Sequence, residues 1–132
     1  MIENIYPDNG QKARGVFSPA KKIDIGSAYL IYTAGVQVGK NENGEAITDD
    51  IEEQTELVFQ SLKDILHAAG ASMDDVVKTQ IFLTDINDFA KVSAIRDKWL
   101  ANSKPVNTLL EVGAMTRKGG KVEIEVTAIV SK

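Results

Sequence analysis

Along residues 122–130, VEIEVTAIV, apolar and polar positions alternate. Val122, Ile124, Val126, Ala128 and Val130 fall on one side of an extended chain, and Glu123, Glu125, Thr127 and Ile129 on the other, because successive strand side chains point to opposite faces. Upstream, Thr108 to Met115 carries Leu109, Leu110, Val112, Ala114 and Met115, and is apolar on both sides. The pattern predicts two long strands joined by a Gly-rich turn. A strand with two apolar faces has something covering each. Helices supply one cover. The chain has little left for the other, which predicts an oligomer and turns Glu123 and Glu125 towards a neighbouring subunit.

The rest of the chain alternates between the two periodicities. Residues 1–19 are polar and broken by Pro7, Gly10, Gly15 and Pro19, which suits an arm with a short edge strand. Lys21 to Ile25 and Tyr29 to Val38 read as strands around a Gly26-Ser27 turn, with Gly35 interrupting the second. Ile51, Thr55, Val58, Leu62, Ile65, Leu66 and Ala69 recur at helical spacing. Thr48 or Asp49 would cap that helix, and Gly70 would end it in a left-handed conformation. Val76 to Leu83 is a strand. Thr84 to Asn87 then caps a second helix, with Phe89, Val92, Ile95, Trp99 and Leu100 inward and Lys91, Arg96, Asp97 and Lys98 facing water. The order β-β-α-β-α-β-β predicts one α+β domain over residues 1–132, a mixed sheet with two helices on one face. The other face, rich in Val, Ile, Leu and Thr, marks an interface.

Composition narrows the function classes. A formal net charge of −4 argues against non-specific nucleic-acid binding. The chain has no cysteine, so no disulfide, thiol nucleophile or thiolate metal site is expected. No targeting signal and no apolar run near the ~20 residues of a membrane span appears, which leaves the cytoplasm as the expected location. Nucleotide-binding glycine loops are absent. His67, the single histidine, lies off the apolar stripe and cannot build a zinc site alone. The acidic run Asp49 to Glu53 suits a solvated helix N-terminus and matches no calcium loop. No metal or cofactor is expected.

Glu123 and Glu125 are the chemically interesting pair. Two carboxylates on one covered strand face repel unless solvated or paired. A partly buried one has its pKa raised unless a cation or hydrogen-bond donors oppose this, and such a group can serve as a general acid or base. The alternative is a wet subunit boundary at which both pair with Lys or Arg.

GVFSPA (residues 15–20), YTAGVQ (32–37), FLTDINDFAKV (82–92), PVNTLLEVGAM (105–115) and VEIEVTAI (122–129) together resemble the reactive intermediate deaminase (RidA) family, also called the YjgF or L-PSP endoribonuclease family. The resemblance runs in order over nearly the whole chain. It implies a chorismate-mutase-like homotrimer whose sheets form a central barrel, with clefts between subunits. It also implies cofactor-free hydrolysis of 2-imino or 2-enamino acids to keto acids and ammonia. Such clefts use an arginine for the substrate carboxylate, a glutamate for the water, a tyrosine hydroxyl, a glycine backbone and an asparagine.

On this chain the resemblance places the glutamate at Glu123 and the glycine at Gly35. The arginine of the Pro-x-Arg-Ser/Thr motif is replaced by Asn107, the tyrosine by Phe17, the helix-two asparagine by Ser93, and a frequent cysteine by Leu109. An amide can hydrogen-bond a carboxylate but cannot neutralise it, so the departures argue against archetypal imino-acid deamination. Arg14, Lys104 and Arg117 are candidate replacements. The expected function is hydrolysis of another imine or enamine between subunits. The alternatives are a non-catalytic trimer binding a small metabolite and, ranked last, the ribonuclease activity in the family's older name.

Overall fold

The computed structural model describes residues 1–7 and 16–132. Six strands form one mixed sheet in the order β1-β2-β3-β6-β4-β5. They are β1 (Ile2–Ile5), β2 (Ala20–Asp24), β3 (Ala28–Thr33), β4 (Val76–Leu83), β5 (Val106–Glu111) and β6 (Val122–Ser131), with helices α1 (Ile51–Ala68) after β3 and α2 (Phe89–Trp99) after β4. The alternation along β6 holds: Val122, Ile124, Val126 and Ala128 are buried, whereas Glu123, Glu125 and Thr127 are half-buried. The buried side joins Val58, Leu62, Ile65 and Leu66 of α1 and Val92 and Ile95 of α2 in one core. The open side exposes Tyr32, Val106, Leu110 and Ile129.

The expected pairing of the last two strands is overturned. β5 ends at Glu111, not Met115, and lies parallel to β4 at the sheet edge. β6 is inserted between β3 and β4, antiparallel to both. The α2 crossover delivers β5 parallel to β4, while β6, with a long continuous apolar side, gains two ladders at the centre. Within β5, Leu109 pairs with Ile81 on the core side and Leu110 with Phe82 on the open side, so its two apolar faces belong to different layers.

The strand beginning near Tyr29 also ends early, at Thr33 rather than Val38. Tyr32 pairs with Thr127, but the next bridge joins Val36 to Ile124, so the β3 side carries one extra residue. Thr33 Oγ1 accepts the Val126 N–H at 3.0 Å in place of a backbone carbonyl. Such a bulge reverses the facing of everything beyond it. Here it brings Gly35 and Gln37 onto the open face beside Glu123.

α1 is capped by Asp50, whose side chain accepts from Glu53 N, and not by Thr48 or Asp49. It ends as expected: Gly70 has φ +81, with Gly70 N donating to His67 O and Ala71 N to Leu66 O. His67 is exposed. Buried Gln54 ties the first turn of α1 to the segment before β6, donating to Thr48 O and Gly119 O and accepting from Lys121 N.

α2 corrects the expected inward stripe. Phe89 is 46% exposed, because it opens the helix straight after a 3-10 turn at Ile86–Asp88. Trp99 packs helix on helix, not helix on sheet: it stacks on Phe59 of α1 at 5.7 Å, and its Nε1 donates to Glu56 at 2.9 Å. Arg96, expected in water, keeps only 19% of its side chain exposed.

Candidate functional site

The β4 ladder pairs Glu123 with Phe82, the isolated Val36–Ile124 bridge flanks it on the other side, and the bulge sets Gln37 across from it. Gln37 Nε2 donates to Glu123 Oε1 at 2.9 Å and to Thr116 Oγ1 at 3.0 Å. One carboxylate oxygen is thereby fixed by an amide that is itself anchored. The other lies over Gly35, where an added Cβ would stand 2.5 Å from Glu123 Oε2. Only glycine leaves room for the carboxylate there. Gly120 gives Gln37 the same clearance, since a Cβ at Gly120 would approach Gln37 Oε1 to 2.9 Å. Among the described residues no salt bridge reaches Glu123 or Glu125.

A cleft of about 360 Å³ opens beside this cluster, lined in part by Phe17, Ser18, Gly35, Gln37, Lys40 and Arg117. Phe17, the position of the expected hydroxyl, presents an exposed ring. Arg117 donates to Val38 O at the cleft wall. Sequence reasoning missed Gln37 and Thr116. A polar amide inside the apolar run YLIYTAGVQV, just past a strand glycine, was the available signal.

The remaining expected residues lie elsewhere. Asn107 pairs with buried Thr79 on the core side of the sheet, and Thr79 Oγ1 donates to Asn107 Oδ1. Leu109 packs against the core. Ser93 gives its hydroxyl to Phe89 O of its own helix. These three stand on the opposite side of the sheet from Glu123, so one chain does not bring the two halves together. A second cleft, about 430 Å³, lies at Asn107 and includes Lys104. Arg14 falls outside the described residues.

The model of the family described as Endoribonuclease L-PSP matches residues 9–130. The chain belongs to that family. It is 37% identical over 130 residues to a RutC family protein of Pyrococcus abyssi, covering 98% of this chain and 97% of that one. It is 35% identical over 118 residues to the 2-iminobutanoate/2-iminopropanoate deaminase of Mus musculus, covering 89% and 83%. A solved Rid-family structure from Yersinia pestis superposes with a TM-score of 0.84 at 32% identity, over 97% of this chain and 98% of that one. As an L-PSP family member the chain thus has relatives named for imine deamination. Among the described residues no helix is long and apolar enough to cross a membrane, and no group of three His, Asp or Glu is placed to hold a metal ion.

Proposed function

We propose that this chain hydrolyses an imine or enamine to a carbonyl compound and ammonia, in clefts between the subunits of a homotrimer whose sheets form a central barrel. The observation that carries this reading is the anchored Glu123 carboxylate, with one oxygen held by Gln37 and the other over Gly35. Glu123 takes a proton from water as the water oxygen bonds to the imine carbon and the C=N π pair moves to nitrogen. Return of that proton to nitrogen gives the carbinolamine; Glu123 then relays the carbinolamine hydroxyl proton to nitrogen, so that the C–N bond breaks and ammonia leaves as the C=O forms. Because Asn107 and Glu123 occupy opposite sides of the sheet, a cleft using both draws them from two copies. The exposed Tyr32, Val106, Leu110 and Ile129 supply apolar surface for that association. Sedimentation equilibrium is expected to give a trimer; a monomer at working concentration would remove the shared cleft.

Asn107 supplies no positive charge. Hydrogen bonds to charged groups contribute roughly 1.5–3 kcal/mol against about 1 for neutral pairs, a difference worth roughly 2- to 30-fold in affinity. Small 2-imino acids are therefore expected to be slow substrates. Asn107→Arg should raise keto-acid formation from 2-iminopropanoate generated in situ, after correction for spontaneous hydrolysis. The gain should stay partial, because Phe17 lacks a hydroxyl, Ser93 bonds its own helix, and the change takes an acceptor from buried Thr79. Efficient turnover by the unmodified protein would refute this reading of Asn107. The same two departures, Phe17 and Ser93, favour a second reading, a metabolite-binding trimer without chemistry. Saturable binding with no turnover of any imine would select it.

A further inference from the structure

The cleft at Asn107 has a donor-rich wall. Asn107 Oδ1 is engaged by Thr79 Oγ1, which leaves the two N–H bonds of its amide for the cleft. Arg96 enters from α2 and Lys104 from the turn before β5, and both line the same space as Asn107 and Pro105. Pro105 contributes no backbone donor, and the acidic neighbour, Asp97, is 68% exposed and already accepts from Arg96 Nε at 3.0 Å. The Arg96 side chain is thus about four-fifths buried, and among the described residues its guanidinium bonds only Asp97, through Nε. The C-terminal end of α2 opposes an anion with a charge of about −0.5; two full cations outweigh it.

Lys104 adds an independent sign. It is the one non-glycine residue with positive φ among those described, at +48°. A long side chain in the left-handed region is strained, and such strain persists where the surrounding structure or function holds it. Its N–H donates to Leu100 O at 3.0 Å, which fixes the turn and sets Lys104 in the lining of the cleft. Glycine would make this turn without strain, but it would bring no charge.

We infer that Arg96, Lys104 and the Asn107 amide form a carboxylate-binding site, and that the preferred ligand is an anionic imine or enamine larger than the three- and four-carbon imino acids. This rests on the hydrolase reading above and names its substrate class. The charge absent from the strand enters instead from a helix and a turn. A cleft of about 430 Å³ falls in the range of sites that enclose ligands of drug-like size, more than a three-carbon acid fills. A substrate whose carboxylate stands several bonds from its C=N would reach these cations while its reacting carbon lies at Glu123 of another subunit.

The test is calorimetric titration of the intact protein with levulinate, a keto acid whose carboxylate is remote from its carbonyl, and with its neutral methyl ester. The acid should bind at least about tenfold more tightly than the ester, and more tightly than pyruvate. Arg96→Met should lower levulinate affinity about tenfold or more, the scale of one charge-assisted hydrogen bond, and Arg96→Lys should restore part of it. Lys104→Gly should also weaken binding while melting no lower than the parent, which separates loss of a ligand contact from loss of fold. Equal affinities for acid and ester, binding unchanged in Arg96→Met and Lys104→Gly, or no saturable levulinate binding at millimolar concentration would each overturn the site. Glu123→Gln is expected to retain levulinate binding. If the cation variants lose binding as expected but the parent turns over no imine, the anion site stands and the hydrolase reading falls.

Discussion

Glu123→Gln is expected to lower the rate of imine hydrolysis by about 10²–10⁴-fold, the usual contribution of a positioned general base, with little change in the melting temperature. The replacement is nearly isosteric. Its amide oxygen still accepts from Gln37, so the packing over Gly35 and the bond between Gln37 and Thr116 survive. The proton acceptor alone is lost. The deficit should therefore appear in kcat, with KM little moved. A variant that keeps the parental rate would mean that Glu123 is a structural carboxylate and that the water is activated elsewhere.

Gly35→Ala should reach a similar deficit by geometry. The new methyl would stand 2.5 Å from Glu123 Oε2 and 2.8 Å from its Cδ, well inside contact distance. Since Gly35 is not among the glycines with positive φ, the backbone accepts alanine and the conflict lies with the carboxylate. That group must swing away, and a displacement of about 1 Å at a reacting centre can cost roughly 100-fold in rate. Crowding should also destabilise the fold by about 1–3 kcal/mol. The diagnostic is a double-mutant cycle. In a Glu123→Ala background the same Gly35→Ala change has no carboxylate to meet, so its stability cost should largely vanish. An undiminished cost would trace the conflict to the backbone or another neighbour and leave the glycine without a role at the site.

The parts of the fold legible in the sequence were those whose physics is local. The alternation from Val122 to Val130 and the stripe from Ile51 to Ala69 each name a buried face, and both faces are where the pattern puts them. Partnership is not local. Nothing in residues 105–130 states that β5 joins β4 while β6 passes beyond it, because a crossover helix and a hairpin turn can follow the same run of apolar residues. Helical spacing likewise groups Phe89 with Trp99 but does not register the 3-10 turn that rotates Phe89 outward. Among the site residues, Glu123 and Gly35 lie against each other. Gln37 stood out only as a polar amide in an apolar run; its facing was not legible, because the bulge at Thr33 that turns it towards Glu123 arises from one side chain replacing a ladder acceptor. Arg96 was assigned to water by its charge, and only tertiary packing reveals it beside Asn107.

The central position of β6 bears on the order of biosynthesis. On one side of it lie β1, β2 and β3, and on the other β4 and β5; among the described residues no ladder joins the two groups except through β6. Both groups leave the ribosome before the strand that unites them. Until it follows, each presents a bare sheet edge and an uncovered part of the α1 stripe, the kind of surface on which nascent chains misassociate. A stop codon or frameshift anywhere before Val122 would therefore not trim a margin of the sheet but leave two separate fragments of it.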